Sequence, residues 1–298
     1  MFVETKLDEF TEVQISWPQA SFDLILASEF SFQQLTDIYN KTREDYIVPM
    51  PMSQAKMREY IYCYDIDLSQ SVVAMSRSGP VGLAMLGARD DKTWVTRVGV
   101  LPDGRQRGIG RSLMQAMIDN SRKLRAKQVI LEVIKNNIPA QCLFECLGFK
   151  FVRELLVMRR PPVAINIAPP LNAQINMLGY EEALALLETR TDVSSWVTDN
   201  RSLYNSSNLA ALTVDLPKFG RGWLVYQNTI FQLGRIILQT EAKAPAEIAT
   251  VLLQYLHGQY PLQDTSLENL AVDDEHWTAF QRLGYLVSFV RVEMKLEL

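Results

Sequence analysis

The stretch WVTRVGVLPDGRQRGIGRSLMQAMIDN, residues 94–120, constrains the fold more than any other part of the chain. It opens with β-formers, Trp94, Val95, Val98 and Val100, and breaks at Pro102-Asp103-Gly104. Beyond the break the pattern turns helical: Ile109, Leu113, Ala116, Met117 and Leu124 share one face, Arg111, Gln115, Asp119 and Arg122 the other. Strand, glycine-bearing turn and amphipathic helix in succession point to a mixed α/β fold.

The turn, Arg105-Gln106-Arg107-Gly108-Ile109-Gly110, runs into Arg111 and Ser112 of the first helical turn. Its glycines lack the Cβ atoms that keep a ligand off the backbone. The free N–H groups of a helix start, the positive end of its dipole and the side chains of Arg105 and Arg107 converge there, and a pyrophosphate fits. A plain strand-to-helix connection reads the same residues equally well. There is no Gly-Lys-Ser/Thr of a Walker loop and no third glycine of the dinucleotide fingerprint.

A second block follows: Leu131-Glu132-Val133, Asn137, Ala140, Leu143 and Leu147-Gly148-Phe149. With Val100-Leu101-Pro102 and the Arg-x-x-Gly-x-Gly of Arg105 to Gly110, in that order and separation, the chain resembles the GNAT superfamily of N-acyltransferases. The resemblance implies a mixed, mostly antiparallel sheet flanked by helices. It implies acetyl-CoA as co-substrate and no metal. The loop residues Arg105, Gln106, Arg107, Gly108, Ile109, Gly110, Arg111 and Ser112 would hold the phosphates. The pantetheine arm would lie along the backbone of Val98, Gly99 and Val100, with Asn137 reaching its amide. Gly99 within a strand pattern independently signals a bulge or a close backbone approach.

The elements before the loop read as a first strand, Ser21 to Ala27, helices Ser31 to Arg43 and Ser53 to Tyr62, and an antiparallel pair, Ser71 to Met75 and Val81 to Ala88. Pro49 and Pro51 interrupt the two helices. In the family this helix-loop-helix covers the acceptor pocket, which makes Tyr46, Met50 and Met52 candidate substrate contacts; packing of the loop accounts for them as well. After the central helix come the strand Gln128 to Ile134, a helix from Pro139 to Leu147 and a strand from Phe151 to Met158.

The 298 residues suit two domains, and the proline-rich stretch from Arg159 to Pro170 divides them into 1–162 and 163–298. The second repeats the first: Leu267-Glu268, Phe280 and Leu283-Gly284-Tyr285 stand 136 residues after Leu131-Glu132, Phe144 and Leu147-Gly148-Phe149 (284 − 148 = 136). At that offset Arg105, Gly108 and Gly110 become Glu241, Ala244 and Ala246, so the copy is degenerate and without a phosphate loop. Trp196 to Leu209 shows no clear first strand or helix pair, and the front of the fold is expected to be missing there.

A formal net charge of −4, evenly spread, excludes the basic stripe of a nucleic-acid or anionic-membrane binder. Met1 to Asp8 carries acidic residues where a signal peptide is basic and then apolar, so a cytoplasmic protein is expected. Three cysteines, Cys63, Cys142 and Cys146, make no disulfide framework and are expected as buried thiols.

Acetyl transfer to an alkylamine, of pKa ~10.4, needs a group that takes the amine's proton. Thr96 stands where many GNAT enzymes place a glutamate. Glu132 resembles the glutamate base of ribosomal-protein N-terminal acetyltransferases and is the candidate base. Phe144 occupies the position of the usual tyrosine acid and has no proton to give. The expected reaction is direct attack of a primary amine, of a small molecule or a peptide, on acetyl-CoA in a ternary complex. The expected assembly is a monomer with an internal pseudo-dimer, or a homodimer. The rival is a non-catalytic acyl-CoA sensor or scaffold, motivated by Thr96 and Phe144.

Overall fold

The computed structural model describes residues 22–164, 170 and 172–298. The reading of Met1 to Asp8, Ser21 of the first strand, and residues 165–169 and 171 of the proline-rich stretch lie outside the described residues. The first half runs β1 (Phe22–Leu26), α1 (Phe32–Lys41), α2 (Gln54–Cys63), β2 (Val72–Ser76), β3 (Gly79–Arg89), β4 (Lys92–Val100), α3 (Ile109–Lys123), β5 (Gln128–Ile134), α4 (Ile138–Cys146) and β6 (Lys150–Arg160). The second half repeats that order. It runs β7 (Gln174–Leu178), α5 (Tyr180–Leu187), α6 (Asn200–Tyr204), β8 (Leu209–Leu216), β9 (Gly220–Asn228), β10 (Gln232–Ala242), α7 (Pro245–Gln259), β11 (Asp264–Ala271), α8 (Trp277–Arg282) and β12 (Leu286–Glu297).

Helix starts follow local capping chemistry. Ser31 forms a capping box with Gln34, Ser53 accepts from the Lys56 amide, and Asn137 accepts from that of Ala140. One expectation fails: the second half keeps its front, as β7, α5 and α6. β7 is five residues long and lies at the sheet's end, paired only with β8, and α6 is a five-residue helix. Elements that short carry no periodic signal for a sequence to display. The degeneracy lies at the loop, where Lys243 and Ala244 join β10 to α7 without a glycine.

Among the described residues, twelve strands form one sheet in the order β1-β2-β3-β4-β5-β12-β6-β11-β10-β9-β8-β7. The halves exchange their last strands. β12 pairs antiparallel with both β5 and β6, and β6 pairs with β12 and β11. The sheet is mostly antiparallel; β4 with β5 and β10 with β11 are the parallel pairs. α3 packs one face of the first half through Ile109, Leu113 and Met117, and α7 does the same for the second through Ile248, Leu252 and Leu256.

α1 and α2 pack Leu35, Tyr39 and Met57 with Leu83, Met85 and Trp94, and Trp196 of the second half joins this cluster, stacked on Trp94 with centroids 5.8 Å apart. Cys63 is buried there, but Cys142 and Cys146 are exposed, contrary to expectation. The buried side of α4 is held by Phe144, which leaves both cysteines on the solvent side. Among the described residues no helix is long and apolar enough to cross a membrane, and no group of three or more His, Cys, Asp or Glu could hold a metal ion.

Candidate active site

The site begins where β4 and β5 part. They pair in parallel from Lys92 opposite Gln128 to Val95 opposite Leu131, and no pairing follows. On its other edge β4 pairs Thr96 with Met85 and Gly99 with Leu83, so Arg97 and Val98 bulge opposite Ala84. The residue carrying the bulge is Arg97, at φ +53°, while Gly99 answers a close approach: a Cβ there would lie 2.4 Å from Thr42 Oγ1. Thr42 ends α1, so this glycine sets how near the helix pair comes to the splayed strand.

The resulting cleft has a volume of about 510 Å³. The residues singled out in the sequence that line it include Tyr46, Thr96, Val98, Gly99, Val100, Arg105, Gln106, Gly110, Glu132, Asn137 and Phe144. Arg43 Nη2 donates to the Val98 carbonyl at 2.9 Å and Arg105 Nε to that of Val100 at 3.1 Å. The Arg105 guanidinium also grips Asp45 with two bonds of 2.6 and 2.7 Å, which holds the Asp45 carboxyl below its usual range. Arg105 therefore ties the loop after α1 to the glycine-rich turn. Asn137 caps α4 and donates through Nδ2 to the Tyr46 hydroxyl at 3.3 Å.

At the loop, Gln106 and Gly108 both have left-handed backbone, at φ +60° and +81°. Gly108 is the N-cap of α3, and a Cβ built on it would meet nothing within 4 Å. The glycine is thus demanded by the backbone angle, and the space before it is open. The N–H groups from Gln106 to Arg111 have no protein acceptor among the described residues, and that of Ser112 donates to the Gly108 carbonyl at 3.0 Å. Such successive amides at a helix start form a concave anion-binding surface. Arg107 and Arg111 are exposed beside it, and the Ile109 side chain is buried in the core beneath.

A second cavity, of about 380 Å³, shares Arg43, Tyr46, Thr96, Arg97 and Glu132 with the first. Met50 and Met52 line it from the loop between α1 and α2, as do Tyr39, Tyr60 and Tyr64. Val197, Arg235, Glu268 and Arg291 line it from the second half. Its charged lining is Arg43, Lys56, Arg97, Arg235 and Arg291 against Glu59, Glu132 and Glu268, an excess of two positive charges.

Glu132 lies on the wall common to both cavities, with its side chain only 5% exposed. Oε1 accepts from Asn269 Nδ2 at 2.8 Å and Oε2 from Arg291 Nη1 at 3.2 Å. Both partners come from the second half, Asn269 from β11 and Arg291 from the exchanged strand β12. Burial pushes the Glu132 carboxyl above its ordinary range against the pull of Arg291. Arg291 also binds Glu268 at 3.0 Å; there burial is outweighed by Arg291 together with Arg97 and Arg235, and the carboxyl is held low. The Tyr60 hydroxyl bonds Thr96 Oγ1 at 2.6 Å, and burial pushes its pKa up to about 12.

Sequence reading missed Arg97, Arg235, Asn269 and Arg291. Only Glu268 had a signal, as the repeat of Glu132 at the 136-residue offset.

Residues 32–149 match the family model described as "Acetyltransferase (GNAT) family". A search of curated proteins gave no match. Among solved structures, a tandem GNAT protein from the clavulanic acid biosynthesis pathway superposes with a TM-score of 0.66 at 16% identity, over 93% of this chain and 98% of that one. A GCN5-related N-acetyltransferase from Sphaerobacter thermophilus gives 0.66 at 16% identity, over 93% and 95%. A putative acetyltransferase from Pyrococcus horikoshii gives 0.62 at 11%, over 98% and 94%. Residues 32–149 thus match the acetyltransferase (GNAT) family model, within a chain that folds as two GNAT-like units sharing one sheet.

Proposed function

We propose that the protein transfers an acetyl group from acetyl-CoA to the primary amine of a small molecule or peptide, by direct attack in a ternary complex. The observation that carries this reading is the shared wall of the two cavities. A cleft with open amides at one end meets a second, charged cavity, and a buried carboxylate, Glu132, stands at the junction.

In this reading the amides and arginines from Arg105 to Ser112 hold the diphosphate. The backbone of Val98, Gly99 and Val100 and the Asn137 side chain follow the pantetheine arm, and Tyr46 and Met50 contact the acceptor. Glu132 takes the ammonium proton; the amine nitrogen attacks the thioester carbon, the C–N bond forms as the C–S bond breaks, the nitrogen releases its second proton to water, and the CoA thiolate leaves. Its proton comes from water, since Phe144 has none to give. A thiol of pKa ~8.5 departs without further help. The working site belongs to a domain of residues 1–162, and residues 163–298 supply the far wall of the acceptor cavity and the hold on Glu132. The protein acts in the cytoplasm.

Gly108→Trp tests the loop. A Cβ there meets nothing within 4 Å, so the substitution starts in open space and costs roughly 1–2 kcal/mol for a side chain at positive φ. Calorimetry should show acetyl-CoA affinity falling at least ~100-fold, about 2.7 kcal/mol. Unchanged affinity would remove the loop from the account. Tight acetyl-CoA binding by the unmodified protein, with no acetylated product across a broad amine panel, would instead favour the sensor or scaffold.

A further inference from the structure

We propose that the acceptor is an anion-bearing primary amine, with its nitrogen at Glu132 and its carboxylate or phosphate held by the guanidinium groups of Arg97 and Arg235. The inference rests on the acetyl-transfer reading above and names the class of molecule the second cavity accepts.

Arg97 is the first observation. Its Nε is buried and has no hydrogen-bond partner. Its one hydrogen bond among the described residues runs from Nη1 to the Tyr39 hydroxyl, at 3.2 Å. Its guanidinium lies over the Tyr60 ring at 4.0 Å and the Tyr39 ring at 5.1 Å. The rings fix the plane of the fork and leave donors unused.

Arg235 is the second, and it comes from the other half. It occupies the corresponding bulge, since β10 pairs Gly234 with Gln227 and Ile237 with Val225. Its φ is +49°, against +53° for Arg97. A non-glycine residue keeps such a backbone only where its surroundings impose it. Its guanidinium is 5.4 Å from the Tyr64 ring centroid, and Nη1 donates weakly to the Tyr64 hydroxyl at 3.4 Å. Arg235 also lines a smaller opening of about 150 Å³ where β10 and β11 part beyond Leu233 and Thr265, the counterpart of the cleft in the first half.

Among the described residues neither arginine has a carboxylate within 4.0 Å, because Glu132 and Glu268 are both taken by Arg291. Glu268 acts on both through space without a hydrogen bond to either, and a carboxylate or phosphate would meet their unused donors with paired, charge-assisted bonds. The cavity's excess of two positive charges has the same sign. The cavity thus offers unused guanidinium donors that suit an anion and a carboxylate, Glu132, that suits an amine. Its volume of about 380 Å³ lies near the small end of ligand pockets, roughly 300–1,000 Å³.

The test uses the whole protein with acetyl-CoA and three matched probe series: aminoalkyl carboxylates from glycine to 6-aminohexanoate, their primary amides, and aminoalkyl phosphates of the same chain lengths. Acetylated product is read by mass spectrometry, and probe binding to the CoA complex by calorimetry. At least one anionic probe should be acetylated with a kcat/KM ~100-fold above its amide, the scale of a charged pair losing one partner. Whichever series leads identifies the anion. Arg235→Gln should bring that ratio toward one through KM, with Arg235→Lys intermediate and acetyl-CoA affinity retained in both. Amides used as well as their acids, or a ratio that survives Arg235→Gln, would overturn the proposal. Should no probe be acetylated, acetyl transfer to these amines fails separately. Anionic probes that still bind, and are lost in Arg235→Gln, would then sustain the anion site, and binding that ignores charge would end it.

Discussion

Glu132 owes its chemistry to company drawn from across the chain. A strand glutamate with solvent around it titrates near ~4.3; this one is buried beside Asn269 and Arg291, and burial raises it. A base must be ionised to accept a proton. The rate should therefore rise with pH through the raised pKa, placing the acid limb of kcat above the ordinary carboxylate range. Glu132→Gln should lower kcat ~100-fold near neutrality, within the usual span for a general base. The deficit should shrink at high pH, where the amine loses its own proton. Equal rates across the range would clear Glu132 of the role. Phe144 is 6% exposed and packs on Phe149, so this position adds apolar bulk to the cleft and no proton.

At the scale of elements, the cleft exists because β4 bulges and the end of α1 presses on it. Thr42 Oγ1 donates to the Tyr39 carbonyl at 2.7 Å, which fixes it over Gly99. Gly99→Ala should destabilise by roughly 1–3 kcal/mol, as overpacking does, and it should displace the loop that carries Tyr46 over the cleft. Thr42→Gly in the same chain should recover part of the loss. A thermal-denaturation double-mutant cycle should give a coupling above ~1 kcal/mol, and simple additivity would mean that the contact does not set the spacing. The corresponding bulge in β10 carries Arg235, so one local device places an arginine in the acceptor cavity from each half.

The whole molecule is bound by its exchanged strands. β6 finds both partners, β11 and β12, in the second half, and β5 depends on β12 for one edge. Arg89 reinforces the junction, buried between Asp65 and the second half's Trp196 carbonyl and Ser202 hydroxyl. Residues 1–162 produced alone should therefore lack a cooperative melt by circular dichroism and elute as aggregate. Co-production with residues 163–298 should restore a single transition. A monomeric, cooperatively melting fragment would mean that β6 can turn back onto β5 and that the exchange is dispensable. Removing the second half also removes Asn269 and Arg291 from Glu132, so stability and the base are lost together.

Local signals carried much of this into the sequence. The strand Gln128–Ile134 reads to the residue, because a short run rich in β-branched and apolar residues is a short-range property. The glycine turn reads as an anion site because left-handed backbone and free amides are also local. The duplication reads from its constant offset, and α3 and α7 begin that same 136 residues apart (245 − 109 = 136). What the tertiary structure alone decided is which strand lies beside which. Pairing between β5 and β12 joins residues more than 150 positions apart, and no window of sequence registers it. For that reason Glu132 was legible as a residue and not as a buried one, while Arg97, Arg235 and Arg291 gained a common cavity only when the two halves closed on each other.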